Sequence, residues 1–341
     1  MDSAGSWIRR SGRGTSGWVD LQYGPSPPDS TWIAGASGSA WAEAQWPSKP
    51  LRIIVPWPPG GAADIACRHL QQPLSEVIGQ PVVVENKAGA GGIVGTEAIA
   101  RSPGDGSTIG MVISSHASNP ALYSSIPYDA LKDVKPLTIL VRAPNMISVH
   151  PSAPYKSLAD IIAAAKAEPG KLLYATSGNG TAQHLGFESL KISTGIDVVH
   201  VPYKGAGPAL NDLVAGQVEL GVLNIAGTLP HVQGGRLRPI AVTSIKRSAM
   251  VPDVPTVAET VPGFNFVEWF AFVTPAGVPD DMLDRMHAAI SKAARMPAFE
   301  DKAREAGMEL DLNTPKEFRE LMAAEVKKFA ELVAKAKIKL D

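Results

Sequence analysis

From Leu51 to Val55 the chain reads LRIIV, a short apolar run that breaks at once into Pro56-Trp57-Pro58-Pro59-Gly60-Gly61 before a helical pattern begins. A run this short and apolar suits the inside of a sheet covered on both faces, the habit of parallel strands joined by helices. The stretch that follows carries Leu70, Leu74, Val77 and Ile78 on one helical face and stops at Gly79. Val82 to Val84 then reads as a strand, Gly91 to Arg101 as a second helix and Ile109 to Ile113 as a third strand. Such alternation builds β–α–β units, so the expected class is α/β, with mostly parallel sheets flanked by helices.

A second block repeats the style. Met146 to Val149 reads as a strand, Ser157 as the cap of a helix with Leu158, Ile161, Ile162 and Ala165 on one face, and Leu172 to Ala175 as another strand. Strands are expected again at Val198 to Val201, at the alternating Val218, Leu220 and Val222, and at Ile240 to Thr243, with a short helix from Pro208 to Ala215. After Trp269 the chain gives one more strand, Phe270 to Val273, and then amphipathic helices, the last opened by Thr314-Pro315. The expected organisation is two α/β lobes, residues 45–145 plus 270–341 forming lobe 1 and residues 146–269 lobe 2, the C-terminal helices covering one of them. Residues 1–44 are rich in Gly, Ser, Trp and Pro and lack an apolar core of the kind a secretion signal needs, yet they end in the small-x-small Ala42-Glu43-Ala44. They read as a disordered or altered leader.

Composition excludes several classes. A net charge of −1 without dense basic runs gives no field for nucleic acid. Cys67 is the only cysteine, so there is no intrachain disulfide and no cysteine metal site, and the seven histidines form no H-x-x-H pair. No metal or cofactor is expected, and no run reaches the roughly 18 apolar residues of a membrane span.

The candidate site lies in the loops after the strands, where open α/β sheets bind their ligands. The first contributes Trp57, Pro58, Gly60, Gly61, Ala62, Ala63 and Asp64; its glycines leave backbone amides uncovered at a helix start, which carries about half a positive charge. Asp64 stands where a carboxylate would complement that helix start. The others contribute Ser114, Ser115, His116 and Asn119; Ser177, Gly178, Asn179, Gly180 and Thr181, leading into a helix with His184; Tyr203, Gly205, Ala206 and Gly207; and Asn224. Together they describe a cleft lined by helix N-termini from both lobes, suited to a small carboxylate. The Pro-Pro-Gly-Gly turn lacks the Gly-Lys-Ser/Thr ending of a phosphate loop. Gly89-Ala90-Gly91-Gly92-Ile93-Val94-Gly95 loosely matches a dinucleotide fingerprint, but the next strand ends in Ser114-Ser115 with no acid for a ribose, so a nicotinamide-dependent oxidoreductase is the weaker reading and the glycines read as turn and packing positions. There is no G-x-S-x-G elbow and no close carboxylate pair, so no catalysis is expected.

Several ordered motifs resemble one family. Trp46-Pro47-Ser48-Lys49-Pro50, Ile54-Val55-Pro56-Trp57-Pro58-Pro59-Gly60-Gly61 with Asp64, and Gly79 through Asn86 are similar to the opening of the Bug-type receptors of tripartite tricarboxylate transporters. The likeness continues in Gly89 to Gly92, Asn119 to Tyr123, Gly178 to Thr181, His200 to Gly205, Leu229-Pro230-His231 and Pro252 to Thr256, so it runs from about Trp46 to the end. The resemblance implies a two-lobed, hinged periplasmic-binding-protein fold of type II, monomeric and without catalysis. Such a receptor binds a dicarboxylate, tricarboxylate, acidic amino acid or aromatic acid and delivers it to membrane permease subunits; the same receptor could instead report its bound state to a sensor histidine kinase ectodomain. It also implies that Gly60 to Asp64, Ser177 to Thr181 and Gly205 to Gly207 hold the carboxylate, and that the protein is periplasmic. Two departures stand out: Leu223 where members often carry Asp, and Trp57 where Phe is frequent. The first implies a less polar ligand, an aromatic or longer-chain acid.

Overall fold

The computed structural model describes residues 46–338, so the leader expected over residues 1–44 lies outside the described residues. The first lobe begins with β1 (Leu51–Val55), α1 (Ala62–Ile78), β2 (Val82–Asn86), α2 (Ile93–Ala100), β3 (Thr108–Ile113), α3 (Ser115–Leu122) and β4 (Val134–Ala143). The chain passes through Pro144 into the second lobe, which holds β5 (Asn145–Val149), α4 (Leu158–Ala167), β6 (Leu173–Thr176), α5 (Ala182–Thr194), β7 (Val199–Pro202), α6 (Ala206–Val214), β8 (Leu220–Asn224), α7 (Ile225–Gln233) and β9 (Arg238–Val242). It returns through β10 (Glu268–Pro275) and closes with α8 (Asp280–Ala294), α9 (Pro297–Glu305), β11 (Glu309–Leu310) and α10 (Pro315–Ala336).

The sheets run β11-β4-β10-β3-β1-β2 and β7-β6-β8-β5-β9. The expected β–α–β units are present: β1 pairs parallel with β2 and β3, and β6 parallel with β7 and β8. Both sheets are nevertheless mixed rather than mostly parallel. The reason is the crossing between lobes: β5, just arrived from the first lobe, runs against β8 and β9, and the returning β10 runs against β3 and β4. The two connections lie side by side, since Thr243 N–H donates to the Asn145 carbonyl at 2.9 Å and Asn145 N–H to Thr243 Oγ1 at 3.1 Å.

Four elements depart from the sequence reading, the short β11 among them. β4 and α7 were not anticipated, and the polar stretch after β3 is helix α3 rather than a loop. The last helix also covers more than one lobe: α10 packs on α3 and β4 of the first and on α5 of the second. Its Phe318 meets Trp269 edge-on at 5.4 Å, its Phe329 meets Phe266 at 5.8 Å, and Glu325 accepts from the Trp269 indole at 2.6 Å.

Ser157 caps α4 as the sequence indicates: its Oγ accepts from Asp160 N–H at 3.2 Å, and the Asp160 carboxylate accepts from Ser157 N–H at 2.9 Å. Replacing Ser157 with Ala is expected to cost about 1 kcal/mol, seen as a small fall in urea midpoint at unchanged slope; no fall would mean that Asp160 alone holds the helix start.

Candidate functional site

The first loop is fastened before it reaches solvent. Gly60 takes φ +85°, open to glycine at little cost, and its N–H donates to Asp64 Oδ2 at 2.9 Å. The same carboxylate accepts from Arg68 Nε at 2.9 Å and from Asn86 Nδ2 at 2.9 Å, while Asn86 also reaches the Trp57 carbonyl at 3.0 Å. Burial pushes the Asp64 carboxyl up, but the bonds from Arg68, Gly60 and Asn86 together outweigh it and hold it below the usual carboxylate range. Asp64 therefore staples its own turn to β2 and caps no amide of α1, whose N-cap Gly61 offers no side chain. With Asp64 occupied, the start of α1 keeps its amides for something else.

Two of the cavities between the lobes gather the loops that follow the strands. The larger, about 280 Å³, meets the starts of three helices: Ala62 and Ile65 of α1, Ala206 and Leu210 of α6, and Asn224 with Ala226 and Gly227 at the start of α7. Leu223, Ala143 and Met308 complete its apolar wall. None of these three helices has a side-chain cap. The smaller, about 100 Å³, brings Trp57, Ser115, Asn119 and Tyr123 of the first lobe against Asn179, Gly180 and Thr181 of the second, with Glu268 between them.

Of the residues the sequence singled out, Ala62, Ala206 and Asn224 line the larger cavity and Trp57, Ser115, Asn119, Asn179, Gly180 and Thr181 the smaller. The rest line neither cavity. Pro58, Gly60, Gly61, Ala63 and Asp64 shape the turn before α1, and Gly205 and Gly207 the start of α6. Gly178 and Tyr203 join two loops: Gly178 would place a Cβ 3.2 Å from the Tyr203 carbonyl, and Gly205 N–H donates to the Ser177 carbonyl at 3.0 Å. The Tyr203 hydroxyl itself donates to Asp212 at 2.7 Å. His184 Nδ1 accepts from Gly180 N–H at 3.1 Å and its ring stacks on His200 at 4.0 Å. It is a neutral prop for the loop, its pKa lowered by burial to about 4. His116 turns from both cavities to bond the Ala130 carbonyl at 2.9 Å and to stack on Tyr128, and Ser114 is buried with it.

Sequence reasoning missed three residues. Ser177 Oγ donates to Gln183 Oε1 at 2.9 Å, and Gln183 Nε2 donates to Asn145 Oδ1 at 3.2 Å. Asn224 Nδ2 reaches the same Asn145 oxygen at 3.0 Å. This buried amide chain fixes the start of α7 and continues to Glu268, which lies beside Asn224 at the start of β10. Burial raises the Glu268 carboxyl to about 7, and its hydrogen bond with Asn224 offsets part of that. The one signal in the sequence was a lone carboxylate opening the otherwise apolar strand EWFAFV. Among the described residues no group of three or more His, Cys, Asp or Glu is placed to hold a metal, and Cys67 is buried in the core, its thiol raised by burial.

Comparison with known proteins gives this arrangement a context. The family model for the tripartite tricarboxylate transporter family receptor matches residues 66–338. The chain is 36% identical to Protein BugT of Bordetella pertussis over 86% of its own length and 91% of that protein's. A solved structure described as a periplasmic transporter shares 39% identity at a TM-score of 0.75, covering 87% of this chain and all of the other. An R. palustris protein solved with adipate shares 32% at a TM-score of 0.76, over 86% of this chain and all of its own. MatC from Rhodopseudomonas palustris, solved with bound malate, shares 26% at 0.72, over 84% of this chain and all of its own. Family model, relatives and fold agree: this chain belongs to the tripartite tricarboxylate transporter receptors, and is a two-lobed solute-binding protein rather than an enzyme.

Proposed function

We propose that this chain is an extracytoplasmic receptor that captures a small carboxylate between its lobes and delivers it to the permease subunits of a tripartite tricarboxylate transporter. The observation that carries the reading is the meeting of three uncapped helix starts at one cavity, α1 from the first lobe and α6 and α7 from the second. Each offers free N–H groups and a partial positive charge, the two things a carboxylate takes from a protein in place of its water. An anion touching both lobes gains contacts only when they are close, so it favours the closed form by the difference. The adipate and malate of the solved relatives support a carboxylate as the solute.

Titration calorimetry against a panel of mono-, di- and tricarboxylates is the test. At least one is expected to bind at micromolar strength or tighter, without chemical change, and failure of every carboxylate, or turnover of one, would sink the reading. Ser177→Ala is expected to weaken that binding about tenfold, because it frees Gln183 and loosens the amide chain behind α7. Gly60→Pro is expected to weaken it further, since proline can adopt neither φ +85° nor donate to Asp64.

A further inference from the structure

The chemistry of the cavity walls goes beyond the word carboxylate. The larger cavity is faced by Ile65, Leu210, Leu223 and Met308, and its two polar side chains are already engaged. Thr228 Oγ1 donates to the Asn224 carbonyl at 2.8 Å, and the Asn224 amide belongs to the buried chain with Asn145 and Gln183. A second polar group on the solute would find no side-chain partner there. The smaller cavity offers an anion hydroxyls and amides, the unpartnered Ser115 Oγ among them, but no cation among its described residues. Its one charged side chain is Glu268, a carboxyl 8% exposed and anchored beside Asn224. Among the described residues lining either cavity there is no Lys, Arg or His.

From these walls, and on the reading of the inter-lobe site proposed above, we infer that the solute carries a single carboxylate on an uncharged, apolar body of about the size of an aromatic ring. The carboxylate meets the helix starts, and the body lies against Leu223 and Leu210. The volume agrees: an apolar cavity of about 150 Å³ takes up benzene, and about 280 Å³ leaves room for a carboxylate beside the ring. A dicarboxylate must put its second charge either on aliphatic wall or towards Glu268, and both positions leave a desolvated charge without a counter-charge. An α-amino acid must put its ammonium one carbon from the carboxylate, inside the larger cavity, while Glu268 lines the smaller one.

Calorimetry at pH 7.5 with benzoate, 3-phenylpropanoate, adipate and phenylalanine tests this on the intact chain and on two variants. The better of the two aromatic monoacids is expected to bind at least a hundredfold more tightly than adipate or phenylalanine. Leu223→Asp is expected to lose thirtyfold or more for the monoacids; if it fails to fold, judged by circular dichroism, Leu210→Ala supplies the same comparison with a tenfold loss. Glu268→Gln is expected to narrow the gap by improving adipate alone. Adipate or phenylalanine binding as well as the monoacids, or monoacid binding indifferent to Leu223 or Leu210, overturns the inference while the receptor reading stands. Binding of none of the four, nor of any other carboxylate, overturns both.

Discussion

Acidification from pH 6.5 to 4.5 is expected to cost this receptor about 3 kcal/mol of stability and about 5 °C or more in Tm. His116 and His184 are 2% and 5% exposed, and burial lowers each to about 4, against an ordinary 6.5. A group lowered in the folded state stays neutral there while its unfolded counterpart takes up a proton. Its contribution is therefore full above pH 6.5 and is lost as pH falls towards 4, at up to about 1.4 kcal/mol per pH unit for each group. Glu268 works the other way. Its carboxyl is raised to about 7 from an ordinary 4.5, so its contribution is full below pH 4.5 and fades as pH rises through 7. Two histidines against one glutamate leave a net loss on acidification of about 1.4 kcal/mol per pH unit. His200, lowered to about 3 by burial and by charge repulsion from the neighbouring His184, adds to the loss. Thermal melts from pH 4 to 8 should show Tm rising from pH 4 to about 7 and levelling off above it. Glu268→Gln should steepen the acid limb, because it removes the opposing group, and His116→Phe should flatten it. A Tm constant from pH 7 to 5 would mean that these imidazoles are already charged in the fold.

Gly95→Val is expected to damage the first lobe severely, with a loss of about 3 kcal/mol or more and failure to accumulate as soluble protein. Gly95 lies in α2, and a Cβ placed there would stand 2.6 Å from the Lys87 carbonyl oxygen and 2.6 Å from the Pro56 Cα. Both are backbone atoms of the segments leaving β2 and β1, so relief requires moving α2 away from the sheet rather than turning a side chain. Gly61→Ala is the matching control: Gly61 has φ −78°, and its Cβ would meet only the Pro58 carbonyl at 3.7 Å. That variant should melt close to the parent, whereas equal melting of both would show that α2 can shift freely. The glycines that imitated a dinucleotide fingerprint thus serve approach and turning. Gly91 and Gly92 take φ +61° and +93°, and a Cβ on Gly92 would meet the Trp57 ring at 2.8 Å.

Where local pattern and environment agree, the sequence was readable. The apolar β1, the Pro-Pro-Gly-Gly turn and the face of α1 from Leu70 to Ile78 are settled within a few residues of one another. β4 was hidden because its place depends on a partner more than a hundred residues away. It carries Pro136, tolerated where its register with β10 slips beside Val273. The stretch Ser115 to Asn119 has turn-forming composition, and only burial beneath α10 makes it helical. The loops of the candidate site could be found one at a time. Their division into an apolar and a polar cavity could not, because Asn145, Gln183 and Glu268 come from three segments that meet only where the chain crosses between lobes.

That crossing is also bridged by α10, which rests on α3 in one lobe and on α5 in the other. Two strands alone would leave the lobes joined as by a strip of cloth, free to twist as well as to part. A rigid rod of 22 residues laid across the seam removes that freedom. Any change in angle must appear as slippage along Phe329 and Phe266 or along Phe318 and Trp269, where bulky rings meet edge-on. The amplitude of any opening would thereby be geared to the shape of four aromatic side chains, none of which lines either cavity, so substitutions there should retune the motion rather than the binding walls.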